Sequence, residues 1–204
     1  MTELESWPHL FEAGDGPVLL ALHGTGGNER DILPLARAID PAAAVLAPRG
    51  QVTEGSALRW FRRLAEGVFD VDDVVTRASD LAEFVGWAVQ HYGLEGRRIV
   101  AVGFSNGANV GLATAALHPH VLPEAIAFSG MHPFGDRPLT TRLDGSRMLL
   151  ANGTEDPMAP SPSVEGLATA LGAQGAEITR HERPGGHGID SGDLDAARDW
   201  LRGL

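Results

Sequence analysis

The sequence predicts an α/β fold in which a mostly parallel, doubly wound sheet carries helices on both faces. Short apolar runs that contain β-branched residues alternate along the chain with longer amphipathic segments. Most of these runs are almost continuously apolar, as strands are when helices cover both faces of their sheet. Alternating strands and helices form mostly parallel sheets. Because no repeat or linker interrupts the 204 residues, we expect one domain over residues 1–204.

The expected strands are short apolar runs bounded by glycine, proline or polar residues. They are residues 18–22, 43–47, 99–104, 125–128, 148–151 and 177–181. A shorter run, residues 10–12, precedes a Gly-Asp-Gly-Pro turn. We expect it to pair antiparallel with the first of these strands at the edge of the sheet.

Helical periodicity is clearest in residues 71–92, where apolar side chains fall on one stripe and charged side chains lie opposite. Further helices are expected at residues 31–38, 106–117, 163–174 and 193–204. Asp190 has the position of an N-cap for the last helix, with Asp193 shortly after it. Residues 51–70 interrupt the alternation, because this segment is long for a loop and carries Trp60, Phe61 and Phe69.

The composition excludes several classes of function. The formal net charge of −11 argues against nucleic acid and anionic membranes, since both select basic surfaces. The absence of cysteine excludes disulfide bonds and thiolate catalysis. The N-terminal segment, residues 1–8, lacks the features of a signal peptide, and no apolar run approaches the roughly 20 residues of a membrane span. We therefore expect a cytoplasmic protein without stable membrane association, and the sequence leaves a homodimer open.

The most informative motif is Gly-Phe-Ser-Asn-Gly at residues 103–107, which places Ser105 in G-x-S-x-G spacing. An apolar run precedes it and a helix-favouring run follows. In this strand–turn–helix context a strained turn lifts the serine hydroxyl clear of the sheet. The flanking glycines allow strand and helix to approach closely, and the helix N-terminus directs N–H groups toward the reacting centre. Glycine-rich turns also contain serine by chance, so a catalytic interpretation requires partner residues.

A serine hydroxyl needs a histidine base that a carboxylate orients, and on such sheets these groups follow later strands in the order Ser, Asp/Glu, His. His187, in a glycine-rich loop after the last strand, is the favoured base. His181 alternates with neighbours inside that strand, which indicates a sheet residue. Asp156 is the favoured acid and its neighbour Glu155 is the alternative.

The loop at residues 23–28, His-Gly-Thr-Gly-Gly-Asn, follows the first long strand. Hydrolysis of an ester requires two N–H donors for the oxyanion, and we assign them to Thr25 and Asn106. A phosphate-binding loop is the alternative, but neither G-x-G-x-x-G nor a G-K-[ST] ending is present. We expect His23 to hold the loop by a hydrogen bond. The histidines show no metal-ligand spacing, so we expect no metal and no cofactor.

Taken together, these motifs resemble the α/β-hydrolase superfamily and, within it, the phospholipase/carboxylesterase family. The resemblance is closest to its branch of small bacterial carboxylesterases, which includes proteins linked to quinone and hydroquinone stress. It rests on residues 22–28, 59–63, 103–109, 153–158 and 186–188. It implies a compact hydrolase with little or no cap, whose nucleophile, acid and base fall on Ser105, Asp156 and His187.

Two positions depart from the acyl-protein thioesterases of this family, which have glutamine after the nucleophile and aspartate after the Trp-Phe pair. This chain has Asn106 and Arg62 there, which counts against a protein-palmitate or lysophospholipid substrate. We therefore expect a serine carboxylesterase acting on small, short-acyl or aromatic esters. The alternatives are a lysophospholipase or acyl thioesterase for longer chains, and a hydrolase-fold sensor that binds a small molecule with little turnover.

Several apolar side chains lie on loops that converge on the expected site. The expected pocket residues are Trp60, Phe61, Phe69, Met131 and Met158. An equally good interpretation is that the aromatic rings close the core beneath the long segment 51–70.

Overall fold

The structure, a computed structural model, describes residues 4–203. The start of the segment 1–8 and the last residue of the expected C-terminal helix lie outside the described residues. The strands are β1 (His9–Glu12), β2 (Val18–Leu22), β3 (Ala44–Pro48), β4 (Val52–Glu54), β5 (Ala57–Arg59), β6 (Arg63–Ala65), β7 (Val68–Phe69), β8 (Ile99–Phe104), β9 (Glu124–Phe128), β10 (Arg147–Gly153) and β11 (Glu177–Arg183). The helices are α1 (Leu33–Ile39), α2 (Val71–His91), α3 (Asn106–Leu117), α4 (Ser161–Ala173) and α5 (Ser191–Arg202).

The central sheet has seven strands in the order β1-β3-β2-β8-β9-β10-β11. Every neighbouring pair is parallel except β1 and β3. From β2 the sheet grows toward β3 on one side and toward β8 on the other, so it is doubly wound. Separate buried apolar clusters cover its two faces. These features confirm the α/β fold that the sequence predicts.

The helices and strands begin and end within about two residues of the expected positions. The start of helix α5 can be predicted from the sequence because its capping residues lie close together in the chain. The Asp190 carboxylate accepts the N–H of Asp193 at 3.0 Å, and the Asp193 carboxylate accepts the N–H of Asp190 at 3.0 Å. This reciprocal capping satisfies N–H groups that have no partner inside the helix. The expected N-cap role of Asp190 is confirmed.

The position of the edge strand β1 differs from our expectation. We expected residues 10–12 to pair with β2, but β1 pairs antiparallel with β3, with His9 opposite Pro48 and Glu12 opposite Val45. Strand β2 lies between β3 and β8, so both of its edges are already paired. It is also fully buried, whereas β1 is half-buried, as suits an edge strand.

The segment 51–70 is not an irregular loop. It forms two antiparallel hairpins, β4–β5 and β6–β7, each a separate two-stranded sheet. The carbonyl of Arg62 accepts the N–H of Asp70 at 3.1 Å, and the N–H of Arg62 donates to the carboxylate of Asp73 at 2.7 Å. These bonds attach the second hairpin to the start of α2. Its apolar residue Leu64 is 73% exposed.

None of the helices in residues 4–203 has the length and apolar character that crossing a membrane requires.

Candidate active site

The expected site residues lie beyond the carboxyl ends of neighbouring parallel strands. Thr25 follows β2, Ser105 follows β8, Asp156 follows β10 and His187 follows β11. Because these strands are parallel, their carboxyl ends meet at one edge of the sheet, where ligands of such folds bind. The topology therefore gathers at one edge residues that are far apart in sequence.

Ser105 occupies a strained turn between β8 and α3. Its φ of 54° and ψ of −117° lie outside the region that non-glycine residues usually adopt. The N–H of Ser105 donates to the carbonyl of Phe128 on β9 at 2.9 Å, which holds the turn. A Cβ on Gly103 would lie 2.5 Å from the carbonyl of Gly107, and one on Gly107 would lie 2.1 Å from the carbonyl oxygen of Leu22. Both motif glycines are therefore required by the backbone.

His187 and Asp156 form a hydrogen-bonded pair. The ring Nδ1 of His187 lies 2.7 Å from Oδ2 of Asp156. The Asp156 side chain is buried, and its Oδ1 accepts the N–H groups of Met158 at 2.8 Å and Ala159 at 3.2 Å. A carboxylate only accepts hydrogen bonds, so this contact favours the His187 tautomer that carries its proton on Nδ1 and leaves Nε2 as the acceptor nitrogen.

The neighbour of Ser105, Phe104, contacts the ring of His187, with ring centroids 5.0 Å apart. Among the described residues, the Ser105 hydroxyl and His187 form no hydrogen bond. Catalytic hydrogen bonds are often long before substrate binds and tighten in the complex. The geometry thus brings the expected base and acid together and places the residue before Ser105 against the ring of the expected base.

The acid and base loops are joined by their backbones. The N–H of Glu155 donates to the carbonyl of Gly185 at 2.9 Å, and a Cβ on Gly153 would lie 2.3 Å from that same oxygen. Glu155, the alternative acid, is an exposed residue. The carboxylate that contacts His187 is that of Asp156.

Two side chains that sequence reasoning did not assign hold the His187 loop. The Arg183 guanidinium donates to the carbonyl of Gly188 at 2.6 Å and to the buried carboxylate of Asp193 at 2.6 Å. The Ser129 hydroxyl donates to the same Gly188 carbonyl at 3.0 Å. Ser129 directly follows β9 at the same edge of the sheet, a position that could have identified it.

The expected oxyanion donors belong to two different elements. Asn106 is the first residue of α3, where N–H groups have no partner within the helix. Thr25 lies in the turn after β2, next to Gly26, which has a φ of 81° and donates its N–H to Leu58 at 2.9 Å. Thr25, Ser105 and Asn106 line one small cleft that opens to solvent.

His23 holds the loop after β2, as expected. Its Nδ1 lies 2.8 Å from the carbonyl of Gly24, and its Nε2 accepts the N–H of Gly50 at 2.9 Å. Burial lowers the pKa of His23 below its ordinary value of 6.5. Both nitrogens are engaged in backbone contacts, so this histidine is not available as a base.

The structure divides the expected pocket residues into two groups. Phe69, Met131 and Met158 line the cleft with Ser105. Trp60 and Phe61 belong instead to the core, where they are 2% and 0% exposed. Their side chains are buried and do not line the cleft, so the expectation that they line the pocket is corrected.

The cleft has further polar lining that sequence reasoning did not assign. These residues are Arg59, Arg63, Glu66, Asn109 and Ser129. Asn109 could have been found from the helical period, because it lies one turn after Ser105 on α3. In the described part of the chain, no three histidine or acidic side chains group closely enough to hold a metal ion.

Comparison with known proteins agrees with this geometry. The pattern of the Phospholipase/Carboxylesterase family matches residues 16–204, which is most of the chain. The chain belongs to the phospholipase/carboxylesterase family. This family member is therefore a carboxylic ester hydrolase with an α/β-hydrolase fold.

Several similar proteins align with this chain over almost its whole length. MhqD of Bacillus subtilis, named as a hydrolase, is 37% identical over 195 residues, which are 95% of this chain and 97% of MhqD. The carboxylesterase of Bacillus cereus has a TM-score of 0.92 and 38% identity, covering 99% of each chain. The structure of YahD with malic acid has a TM-score of 0.88 and 28% identity, covering 97% of this chain and 98% of YahD.

Proposed function

We propose that the protein is a serine carboxylesterase that hydrolyses small carboxylic esters through Ser105, His187 and Asp156. The observation that carries this proposal is the 2.7 Å contact between Nδ1 of His187 and the buried carboxylate of Asp156. It lies at the same sheet edge as the strained turn that presents Ser105. A base oriented by a carboxylate beside an exposed hydroxyl is the arrangement that activates serine.

In this proposal Asp156 holds the imidazole of His187 in the tautomer whose Nε2 accepts a proton. His187 removes the proton of Ser105 as the Ser105 oxygen attacks the ester carbonyl. The carbonyl oxygen becomes an oxyanion, which accepts the backbone N–H groups of Thr25 and Asn106. His187 then gives its proton to the departing alcohol, and an acyl-enzyme remains.

Water completes the reaction by the same route. His187 accepts a proton from water, whose oxygen attacks the acyl-enzyme carbonyl. The second tetrahedral intermediate collapses, Ser105 regains its proton from His187, and the carboxylic acid leaves. The Asp156 carboxylate stabilises the imidazolium in both halves of the reaction without itself being protonated.

The cleft supports a small substrate. Phe69, Met131 and Met158 line it beside Ser105, and Asn109 and Ser129 add polar surface to it. A long acyl chain would need a continuous apolar groove, which this mixed lining does not offer. The relative YahD is described with malic acid, a small acid, which agrees with a site of this size.

The test is hydrolysis of p-nitrophenyl esters of increasing acyl length by the purified protein and by Ser105→Ala. The proposal expects turnover of the short esters that Ser105→Ala abolishes. A serine-directed organophosphorus reagent should add one covalent label to the peptide carrying Ser105. Ser56→Ala, which alters an exposed serine between β4 and β5 and outside the cleft, is the matched control and should keep that label.

Each of the other outcomes points to a different function. Activity that rises through long acyl chains would favour the lysophospholipase or acyl thioesterase. A folded protein that takes the label but turns over no ester would favour the sensor. More than a few per cent of wild-type turnover in Ser105→Ala would exclude this serine as the nucleophile.

A further inference from the structure

Arg59 is an unusual cation in this protein. It is 4% exposed, and it is the one arginine among the described residues that is buried. It ends strand β5, in the first of the two hairpins. Burial lowers the pKa of Arg59, and the nearby charge of Arg63 acts in the same direction. A guanidinium nevertheless stays charged in proteins, so the fold places a positive charge where it has little contact with water except through the cleft.

The protein itself only partly compensates this charge. The Nε of Arg59 donates to the carbonyl of Phe61 at 3.3 Å, and its Nη1 donates to the hydroxyl of Thr25 at 2.9 Å. Both acceptors are neutral. Among the described residues, Nη2 donates no hydrogen bond. A buried charge is costly unless an opposite charge pairs with it.

The nearest carboxylate to Arg59 is engaged elsewhere. Glu54 lies 3.5 Å from Nη1 of Arg59, and its side chain is 46% exposed. Both oxygens of Glu54 accept hydrogen bonds from Nε of Arg63 at 3.0 Å. Arg63 also pairs with Glu66. Arg63 is therefore paired with two carboxylates. Arg59 contacts one of these carboxylates, Glu54, at the longer distance of 3.5 Å.

Arg49, by comparison, is an arginine of the same protein that is fully paired with a carboxylate. Its Nε and Nη2 donate to the two carboxylate oxygens of Glu29, each at 2.6 Å. That two-point contact is the geometry that arginine and carboxylate prefer. Arg59 is far more buried than Arg49, whose side chain is 40% exposed, and yet lacks such a partner.

Arg59 lies where a substrate would meet it. It lines the same cleft as Ser105, and its bond to the Thr25 hydroxyl places it beside the expected oxyanion loop. Pockets of this kind orient ligands by a few polar groups set in an otherwise apolar lining. An anionic group on the ligand would provide the missing partner.

We propose that Arg59 binds a carboxylate on the substrate, so that the preferred substrates are acidic esters such as monoesters of small dicarboxylic acids. This inference rests on the proposed esterase function and names its substrate class. The free carboxylate of the ester accepts hydrogen bonds from the guanidinium while Ser105 attacks the ester carbonyl. A neutral ester of the same size leaves Arg59 without its anion.

The test compares matched acidic and neutral esters by following acid release in a pH-stat. Monomethyl succinate carries the carboxylate on the acyl side, and methyl valerate is its neutral counterpart. Acetoxyacetate carries it on the alcohol side, and propyl acetate is its counterpart. Hydrogen bonds to a charged group predict a preference for at least one acidic ester of roughly tenfold to a hundredfold in kcat/KM.

Variants attribute the preference to Arg59. Arg59→Gln should remove most of the acidic-to-neutral ratio, mainly by raising KM for the acidic ester, and Arg59→Lys should restore part of it. Arg62→Gln makes the same change of charge at a 61% exposed neighbour that pairs with Asp70. The ratio should stay at the wild-type value in Arg62→Gln. Circular dichroism establishes that each variant is folded.

A binding measurement separates this inference from the proposed function. Succinate should bind the Ser105→Ala protein more tightly than butyrate does, by calorimetry, and Arg59→Lys in the same background should weaken that binding. If no ester is hydrolysed but succinate binds in this way, the esterase proposal fails and the anion site stands. Wild-type hydrolysis without a preference for either acidic ester, or a ratio unchanged in Arg59→Gln, overturns the anion site alone.

Discussion

The side-chain Oδ1 of Asn106 accepts the backbone N–H of Trp60 at 2.7 Å. This bond joins the residue that follows Ser105 to the junction between the two hairpins. The side chain of the same residue makes a second contact: the indole N–H of Trp60 donates to the carbonyl of His23 at 2.8 Å. The hairpins, the loop after β2 and the start of α3 therefore form one hydrogen-bonded unit around the cleft.

Asn106→Ala should lower both stability and activity. The variant leaves the buried N–H of Trp60 without an acceptor, which costs about 1–3 kcal/mol. It also loosens the junction between the hairpin that carries Arg59 and the hairpin that carries Phe69. The matched control is Asn109→Ala, because Oδ1 of Asn109 accepts the N–H of Met131 at 2.8 Å in a similar contact. Urea unfolding should give comparable losses for the two variants. A smaller loss of kcat/KM in Asn106→Ala than in Asn109→Ala would contradict this account.

Asp156→Asn should lower kcat by a factor on the order of 10⁴, as the corresponding change does in well-studied serine hydrolases, because an amide favours the wrong imidazole tautomer. Glu155→Gln, at the exposed neighbouring position, should have a mild effect on the hydrolysis of p-nitrophenyl acetate. Stopped-flow or steady-state rates of both variants measure the contrast. Reversed effects would assign the acid to Glu155.

Phe69→Ala should shift the preferred acyl length upward, because Phe69 lines the cleft with Ser105. Wild-type kcat/KM should peak at about two to four acyl carbons, since each added methylene contributes roughly 0.8 kcal/mol only while the pocket has room. Phe84→Ala is the contrasting variant. Phe84 is fully buried in the core and is not part of the cleft lining, so its loss should destabilise the protein by about 3–5 kcal/mol and leave the preferred length unchanged. An unshifted profile in Phe69→Ala would remove this ring from the pocket wall.

Stability should fall as the pH drops below 6.5, in part through His23. Burial holds the folded-state pKa of His23 below its ordinary value of 6.5. Between the two pKa values the unfolded chain binds a proton that the folded protein does not, so the free energy of unfolding decreases as pH falls. Urea titrations from about pH 8 to pH 5 should show this decrease, and His23→Gln should flatten it. His91→Gln, at an exposed histidine, is the control and should retain the wild-type slope.

Gly107→Ala should prevent normal folding of the site, because its Cβ would lie 2.1 Å from the carbonyl oxygen of Leu22. The strand and helix backbones must separate to admit it. Gly86→Ala places the same methyl group on helix α2 where no atom lies within 4 Å. That variant should stabilise the protein by about 0.5–1 kcal/mol. Thermal unfolding of both variants tests the contrast, and equal melting temperatures would be incompatible with the close approach at Gly107.

The sequence by itself determined the alternation of strands and helices and the positions of the candidate site residues along it. Ser105, Asp156 and His187 each follow an apolar strand, and parallel strands end at one edge. The N-cap at Asp190 was also readable, because a cap is a contact between residues close in sequence. These features depend on local sequence pattern and on the general rule that parallel strands end at the same edge of a sheet.

Only the tertiary structure decided which surfaces meet. Strand β1 pairs with β3 because β8 and β3 already occupy both edges of β2. Trp60 and Phe61, which join the two hairpins, are buried in the core while Phe69 reaches the cleft, since the packing of the hairpins against the rest of the chain sets which side chains are buried. The burial of Arg59 beside Thr25 follows from the same packing. Such contacts join residues distant in sequence, and no local pattern encodes the free energy that selects among them.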